Sequence, residues 1–562
     1  LPQGRTRREG AAPRRAGCGT GLIPDPKGES APGDGGTLDL RRSLALLRGR
    51  KRLDLLLDQP DPQAVVRSLP ADELYHSIQE AGLADASDVV QLASPEQFRT
   101  FVDLDAWRGD EVDPLRLVPW LRVARGAHSG ADREADLDAW REKLAALDPE
   151  LVSLLLRSAL RIHDLEEDED PDFESERFMR TAEGRYIVEF LPDGADYVSV
   201  RRLVDDLYER DAFMAGRVLS AVRWELVSDL EEQALRWREG RLADLGYPTF
   251  EEALSWFARP AARGNAPAGL AERPPGFWLA SFRRETLLDR AAARLPTAAV
   301  PRFESEALAA ANAAIVADRV DPSDPEAVRT AVESARTLLE LGLEAASGGD
   351  VEAAALALSS TPLKSIFQRG FGRLLELRWR AERIRKEAAA AGPLPALDSP
   401  VGEAFAAVQR RRPRFFPGLE RPREEWGSVT AGAFVERPFR SANELDRTAA
   451  ALGDAEGLLA LGRSLGLAPS GGPHPPSLAT LYLTALANER LGRAFSPAPL
   501  LRTEIPAAAR SLERIEDPRL SGAGAPGALL LLMARNRAAE LAPVRVGEEP
   551  PPGSIAAVLV AG

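Results

Sequence analysis

Apolar positions recur along this chain at the spacing of helix faces, and the same polar device introduces one stripe after another. Asp61-Pro62-Gln63, Ser94-Pro95-Glu96-Gln97, Asp113-Pro114-Leu115 and Asp148-Pro149-Glu150 each set an Asp or Ser oxygen where it can accept the orphan N–H groups of a helix start. Each also sets proline at the first helical position, where its missing N–H costs nothing. The pattern predicts an amphipathic segment over 40–57 and a helix over 71–81 ended by Gly82. Further helices are predicted from Ser94 with Phe98, Phe101 and Val102 on one stripe, over 115–123, over 137–146, and from Pro149 to about Ile162. Over 177–190 the period changes to two around Glu183-Gly184, which predicts a β-hairpin. The helical period then returns. Asp211 is placed to cap one long helix carrying Phe213, Val218, Leu219, Val222, Leu226, Leu230 and Trp237, and Thr249 and Glu252 form a capping box for the next. The second half predicts helices near 303–319, 325–346, 350–359, 363–390, 401–411, 441–465, 476–492 and 527–541, and an apolar tail over 555–560 that docks as a short strand or helix turn.

The fold class expected is mostly α: a layered helical array plus a second helical domain, with one small β-hairpin near 177–190. At 562 residues the chain is too long for one core. The expected divisions are a disordered segment over 1–37, the N-terminal array over 38–163, and an acidic connector, hairpin and long helices over 164–258. A Pro/Gly-rich linker or insertion over 259–300 and a C-terminal helical domain over 301–562 follow. The longest apolar run, Ala528 to Ala534, is far short of the roughly 20 residues a membrane helix needs, so no membrane span is expected. Arg7-Arg8 and Arg14-Arg15 have no apolar stretch behind them, so no export signal is expected and a cytoplasmic location follows by default.

Charge changes the picture more than composition does. Arginine outnumbers lysine 67 to 5, which reads as the codon bias of a GC-rich genome and not as a nucleic-acid signature. The net charge is −14, and residues 131–176 alone hold 16 acidic and 5 basic side chains. That belt repels a phosphate backbone, so no nucleic-acid partner is expected. The basic face of 40–57 (Arg41, Arg42, Arg48, Arg50, Lys51, Arg52) reads as a solvated helix face.

Candidate chemistry is thin. The single cysteine, Cys18, excludes an intramolecular disulfide and a cysteine-based zinc site. Gly462-Arg463-Ser464-Leu465-Gly466 matches the nucleophile-elbow spacing but follows a helical stretch, where the mechanism requires a strand. Asp72, His76 and Glu80 share a helix face and read as an ordinary surface trio. Trp224 and Trp237, flanked by Arg223, Arg236 and Arg238, read as helix-packing residues with arginine over their edges, with stacking on a ligand as the alternative. Gly370-Phe371-Gly372 lacks the strand and third glycine of a phosphate loop. A calcium loop beginning at Asp164 fails because Glu169 stands where the turn glycine belongs. Loose divalent binding by Asp164, Glu166, Asp168 and Asp170 is the one metal candidate, against a solvated connector. No cofactor and no catalytic residue are expected.

Several blocks resemble an uncharacterised bacterial family of large helical proteins known only as a domain of unknown function. They are Leu69-Pro-Ala-Asp-Glu-Leu-Tyr75, Leu92-Ala-Ser-Pro-Glu-Gln97, Phe101-Val-Asp-Leu-Asp-Ala-Trp107, Gly184-Arg-Tyr-Ile-Val-Glu-Phe190 and Arg236-Trp-Arg-Glu-Gly-Arg-Leu-Ala-Asp-Leu-Gly-Tyr-Pro248. The resemblance covers most of the chain from residue 40 and implies no activity. Locally, 60–160 is similar in style to the cytosolic helical domain of MgtE-type magnesium transporters. The expected function is a non-catalytic scaffold that binds partner proteins. A divalent-cation-responsive module and an enzyme with a carboxylate-based site are the alternatives.

Overall fold

The computed structural model describes residues 43–44, 47–126, 133–167, 170–191, 196–258, 286–430, 432–469, 474–545 and 557–561. The segment 1–37, residues 259–285 of the expected linker and Asp168 lie outside them. The chain divides into two compact units, Leu1–Ser43 and Leu44–Gly562. Ser43 is the one described residue of the first; the sheets and the helices from Arg50 onward belong to the second.

Of the four Asp/Ser–Pro starts, Asp61 and Ser94 cap their helices, whereas Asp148 does not and Asp113 precedes only a 3-10 turn, Pro114–Arg116, that it leaves uncapped. Asp61 accepts from the Ala64 N–H, and Ser94 and Gln97 close a reciprocal capping box at the start of Pro95–Asp105. Thr249 and Glu252 do the same for Phe250–Trp256. Asp148 stands at the start of Pro149–Ala159 without capping it; its carboxylate receives Arg241 instead. The first helices pack through aromatic side chains. Tyr75 and Phe101 lie against Trp120, at ring separations of 6.0 and 5.5 Å, and Phe98 meets Trp140 edge-on. Buried indoles need an acceptor. Trp120 Nε1 donates to Asp105 and Trp140 Nε1 to Asp206, each at 2.8 Å.

The β structure is larger than the hairpin read from sequence. β1 (Trp107–Arg108) and β2 (Glu111–Val112) form a minimal ribbon around Gly109, whose φ is +64°. β3 (Leu160–Asp164), β4 (Phe178–Arg180) and β5 (Tyr186–Phe190) form an antiparallel sheet in the order β3-β5-β4. The predicted hairpin is therefore present, but the helix predicted to reach Ile162 stops at Ala159. Leu160, Ile162 and Asp164 alternate inward with Arg161 and His163 outward, a strand's period that a helix reading absorbs as its last turn. The long helix predicted from Asp211 is likewise two. Ala212–Trp224 ends where Glu225 and Leu226 turn extended, and Val227–Asp244 restarts.

The second half is helical as expected, with Val300–Ala317, Pro325–Ser347, Val351–Ser360, Leu363–Ala389, Val401–Val408, Ala442–Ser464, Leu478–Arg490 and Gly524–Ala539. Pro325–Ser347 and Leu363–Ala389 cross at Gly342 and Gly370. A methyl on either glycine would overlap the other helix's backbone, at Ile366 O and Leu338 O respectively. Leu478–Arg490 is buried on every side from Leu478 to Asn488, and its polar stripe Thr480, Thr484 and Asn488 is buried with it, Asn488 Nδ2 donating to Ser496 O and Ala498 O. The tail docks on it as expected: Leu559 N donates to Thr484 Oγ1, and Leu500 bridges Val560 as a parallel β-pair. The described end of the linker also has structure, since Leu287–Ala292 is a helix whose first N–H groups donate to Glu340.

Candidate interaction surface

The acidic run nominated by sequence holds its side chains with arginines. Asp164, 1% exposed at the end of β3, receives Arg185 at 2.9 Å and accepts the Glu166 N–H at 3.0 Å. The hydrogen bond from Arg185 holds its carboxyl below the usual carboxylate range. Glu166 lies 3.4 Å from the same guanidinium, and Glu167 is paired with Arg223 at 2.8 Å. Asp170 is exposed; Asp168 is outside the described residues. Among the described residues no three His, Cys, Asp or Glu side chains converge as a metal site.

Beside that run, Glu189 is fully buried on β5. It receives His163 Nε2 at 2.8 Å and the backbone N–H groups of Glu174 and Ser175 at 2.5 and 2.6 Å. Burial pushes this carboxyl up, but the hydrogen bonds from His163, Ser175 and Glu174 outweigh it and hold the group low. Glu189 thus fastens the connector to the sheet, a role with no signature in the sequence.

The remaining motifs separate. Asp72 and His76 are buried, so the expected surface trio is not one; burial pushes the His76 imidazole down to about 4, and Glu80 is paired with Arg52 at 3.1 Å. Ser464 sits in the last turn of a helix and donates to Leu461 O, which no nucleophile elbow does. Gly370 and Gly372 lie within Leu363–Ala389.

Trp224 and Trp237 overturn the packing expectation. They are 53% and 57% exposed. Arg223 lies over the Trp224 ring at 4.8 Å, whereas Arg238 covers Trp107 and Arg236 is paired with Glu232. Phe213, Leu226 and Val227 are exposed as well. Thus five of the thirteen large apolar side chains exposed among the described residues fall between 213 and 237. Phe213 and Trp224 stand eleven residues apart on one helix, a spacing that returns to the same flank after three turns, while Leu226 is the extended residue that leads into the next helix, which carries Val227 and Trp237. An open furrow along the second helix is lined by Asp229, Glu232, Gln233, Arg236 and Trp237. The face is mixed in charge: Glu225, Asp229, Glu231 and Glu232 form an exposed acidic stretch, Arg217 and Arg236 are exposed to either side of it, and Arg236 is paired with Glu232. Arg223 ties Trp224 to the acidic connector through Glu167 and also donates to Ile162 O.

The class this geometry defines is a large helical protein with buried structural ion pairs and an exposed aromatic face. The chain belongs to a family of unknown function (DUF6178), matched over residues 37–526. No curated protein and no solved structure matches it. The comparisons show no link to MgtE-type transporters. No helix among the described residues is long and apolar enough to cross a membrane.

Proposed function

We propose that the chain is a non-catalytic cytoplasmic scaffold, and that its 213–237 face docks a basic amphipathic helix of a partner protein. The observation that carries this reading is the run of exposed Phe213, Trp224, Leu226, Val227 and Trp237 set among four exposed acids. Large aromatic side chains left in water at a rim of charge are what binding hot spots look like before a partner covers them. The acidic stretch from Glu225 to Glu232 favours a partner helix carrying Lys or Arg beside its apolar stripe. The buried carboxylates support a structural role: Asp103 and Asp164 receive arginines, Asp206 an arginine and an indole, Asp105 a phenol and an indole. Hydrogen exchange of the full chain with a synthetic Leu/Lys amphipathic helix tests the reading. Added protection over 212–244 is expected. Protection confined to other segments, or none at saturating peptide, contradicts it.

A further inference from the structure

A second feature stands apart from that face. The β1–β2 turn, the end of Val227–Asp244 and the end of Val300–Ala317 together enclose a cavity of about 120 Å³. Its walls are apolar, with Leu104, Leu242 and Ile315 buried and Tyr247 and Phe250 adding aromatic rings. Two guanidiniums line it. Arg238 lies 5.1 Å over Trp107 and donates to the backbone oxygens of Asp103 and Gly109, and it forms no ion pair among the described residues. Burial pulls this guanidinium below its usual range, the direction expected of a cation that an anion would relieve. The Arg319 guanidinium lies 4.6 Å over Phe250 and donates to no described residue. The residue's φ of +50° is the one positive value at a non-glycine among the described residues. Arg319 is the left-handed residue that closes Val300–Ala317, with the Val320 N–H reaching back to Ile315 O, so this helix end fixes its place at the cavity.

We propose that this cavity binds a small organic monocarboxylate with an apolar body about the size of a benzene ring, its carboxylate held by Arg238 and Arg319. The volume sets an upper bound on the body: about 120 Å³ is slightly below the roughly 150 Å³ of an apolar cavity that takes benzene, so a single ring is the largest body it holds, with the carboxylate on the guanidiniums. The charge follows from two guanidiniums whose forks match a carboxylate and have no carboxylate partner. Asp110 and Glu239 also line the cavity and balance the two arginines in charge; these two acids and Arg319 are exposed, so the long-range charge is screened and the preference for a carboxylate rests on short-range contacts to the guanidiniums.

Calorimetric titration of the full chain with benzoate, benzyl alcohol and inorganic phosphate tests the site. Benzoate should bind at least tenfold more tightly than the other two, which carry the ring without the charge and the charge without the ring. Arg319→Gly should weaken benzoate at least fivefold without lowering the melting temperature, because glycine adopts this φ freely. Ala243→Trp, at an exposed wall position, should block binding while the protein stays folded. Equal affinity for benzoate and benzyl alcohol, phosphate binding as tight as benzoate, no heat at millimolar benzoate, or unchanged benzoate affinity in Arg319→Gly would each overturn the proposal.

Discussion

Arg241 shows how much of the interior depends on single charged side chains. It forms paired hydrogen bonds with Asp103, both 2.7 Å, and with Asp148 at 3.0 and 2.6 Å, so one guanidinium joins Val227–Asp244 to two N-terminal segments. Burial pushes the Asp103 carboxyl up even with Arg241 present. Arg241→Met should therefore destabilise the fold by about 3 kcal/mol, because it leaves two carboxylates in low dielectric without a cation; urea unfolding at pH 7 measures it. His76 sets a second residue-scale expectation. Its imidazole is pushed by burial from 6.5 down to about 4. The unfolded chain takes up a proton below pH 6.5 that the folded chain refuses until about pH 4. Stability from this group is thus complete above pH 6.5 and falls as pH drops through that window, by about 2 to 3 kcal/mol at pH 4.5. Urea unfolding at pH 7.0 and 4.5 should show a correspondingly smaller difference for His76→Leu than for the parent. Neither role is legible in the sequence. Asp148 fits the cap pattern perfectly, and only the approach of Arg241, 93 residues away, redirects its oxygens.

At the scale of elements, periodicity carries most of the fold and fails where short elements meet. The helices of the second half lie within a few residues of the positions their apolar stripes and caps predict. β3 escapes a periodicity reading because five alternating residues directly after a helix continue its apolar run without a breaker. The exposed face is half legible. On a helix started by Asp211, Phe213 is about half a turn out of phase with Val218, Leu219 and Val222, which marks it as outward. Trp237 is in phase with that stripe only if the helix is continuous. The break at Glu225 and Leu226 resets the phase: the buried stripe of the second helix runs through Leu230, Ala234 and Leu242, and Trp237 stands on its flank, about 70° from the centre of that stripe. The Gly342–Gly370 crossing has no signature beyond two glycines in helices. Gly342→Ala and Gly370→Ala should each cost about 3 kcal/mol or more, since backbone cannot yield as a side chain would. Thermal unfolding checks this, and Gly372→Ala, whose added methyl meets open space, should be neutral or stabilising.

For the whole molecule, interior and surface divide the work. The interior fixes carboxylates with arginines, indoles and a phenol, and five of the thirteen exposed large apolar side chains among the described residues lie between 213 and 237, beside the acidic connector. Sequence places the acidic charge and reads it as a solvated connector, with a loose divalent site as the alternative. The structure surrounds Asp164 and Glu167 with arginines and leaves Glu225, Asp229, Glu231 and Glu232 around exposed tryptophans. The affinity of a fluorescent Leu/Lys amphipathic helix, measured by anisotropy against the parent and against the Trp224→Ala, Leu226→Ala, Trp237→Ala triple variant, tests the docking claim most directly. Removal of two aromatic anchors at about 2 kcal/mol each should weaken binding by far more than tenfold, with melting unchanged because all three side chains are exposed. A Leu/Glu helix of the same length should bind the parent at least tenfold more weakly than the Leu/Lys helix. Equal affinity of parent and triple variant for the Leu/Lys helix, or equal affinity of the parent for the two peptides, would contradict the account.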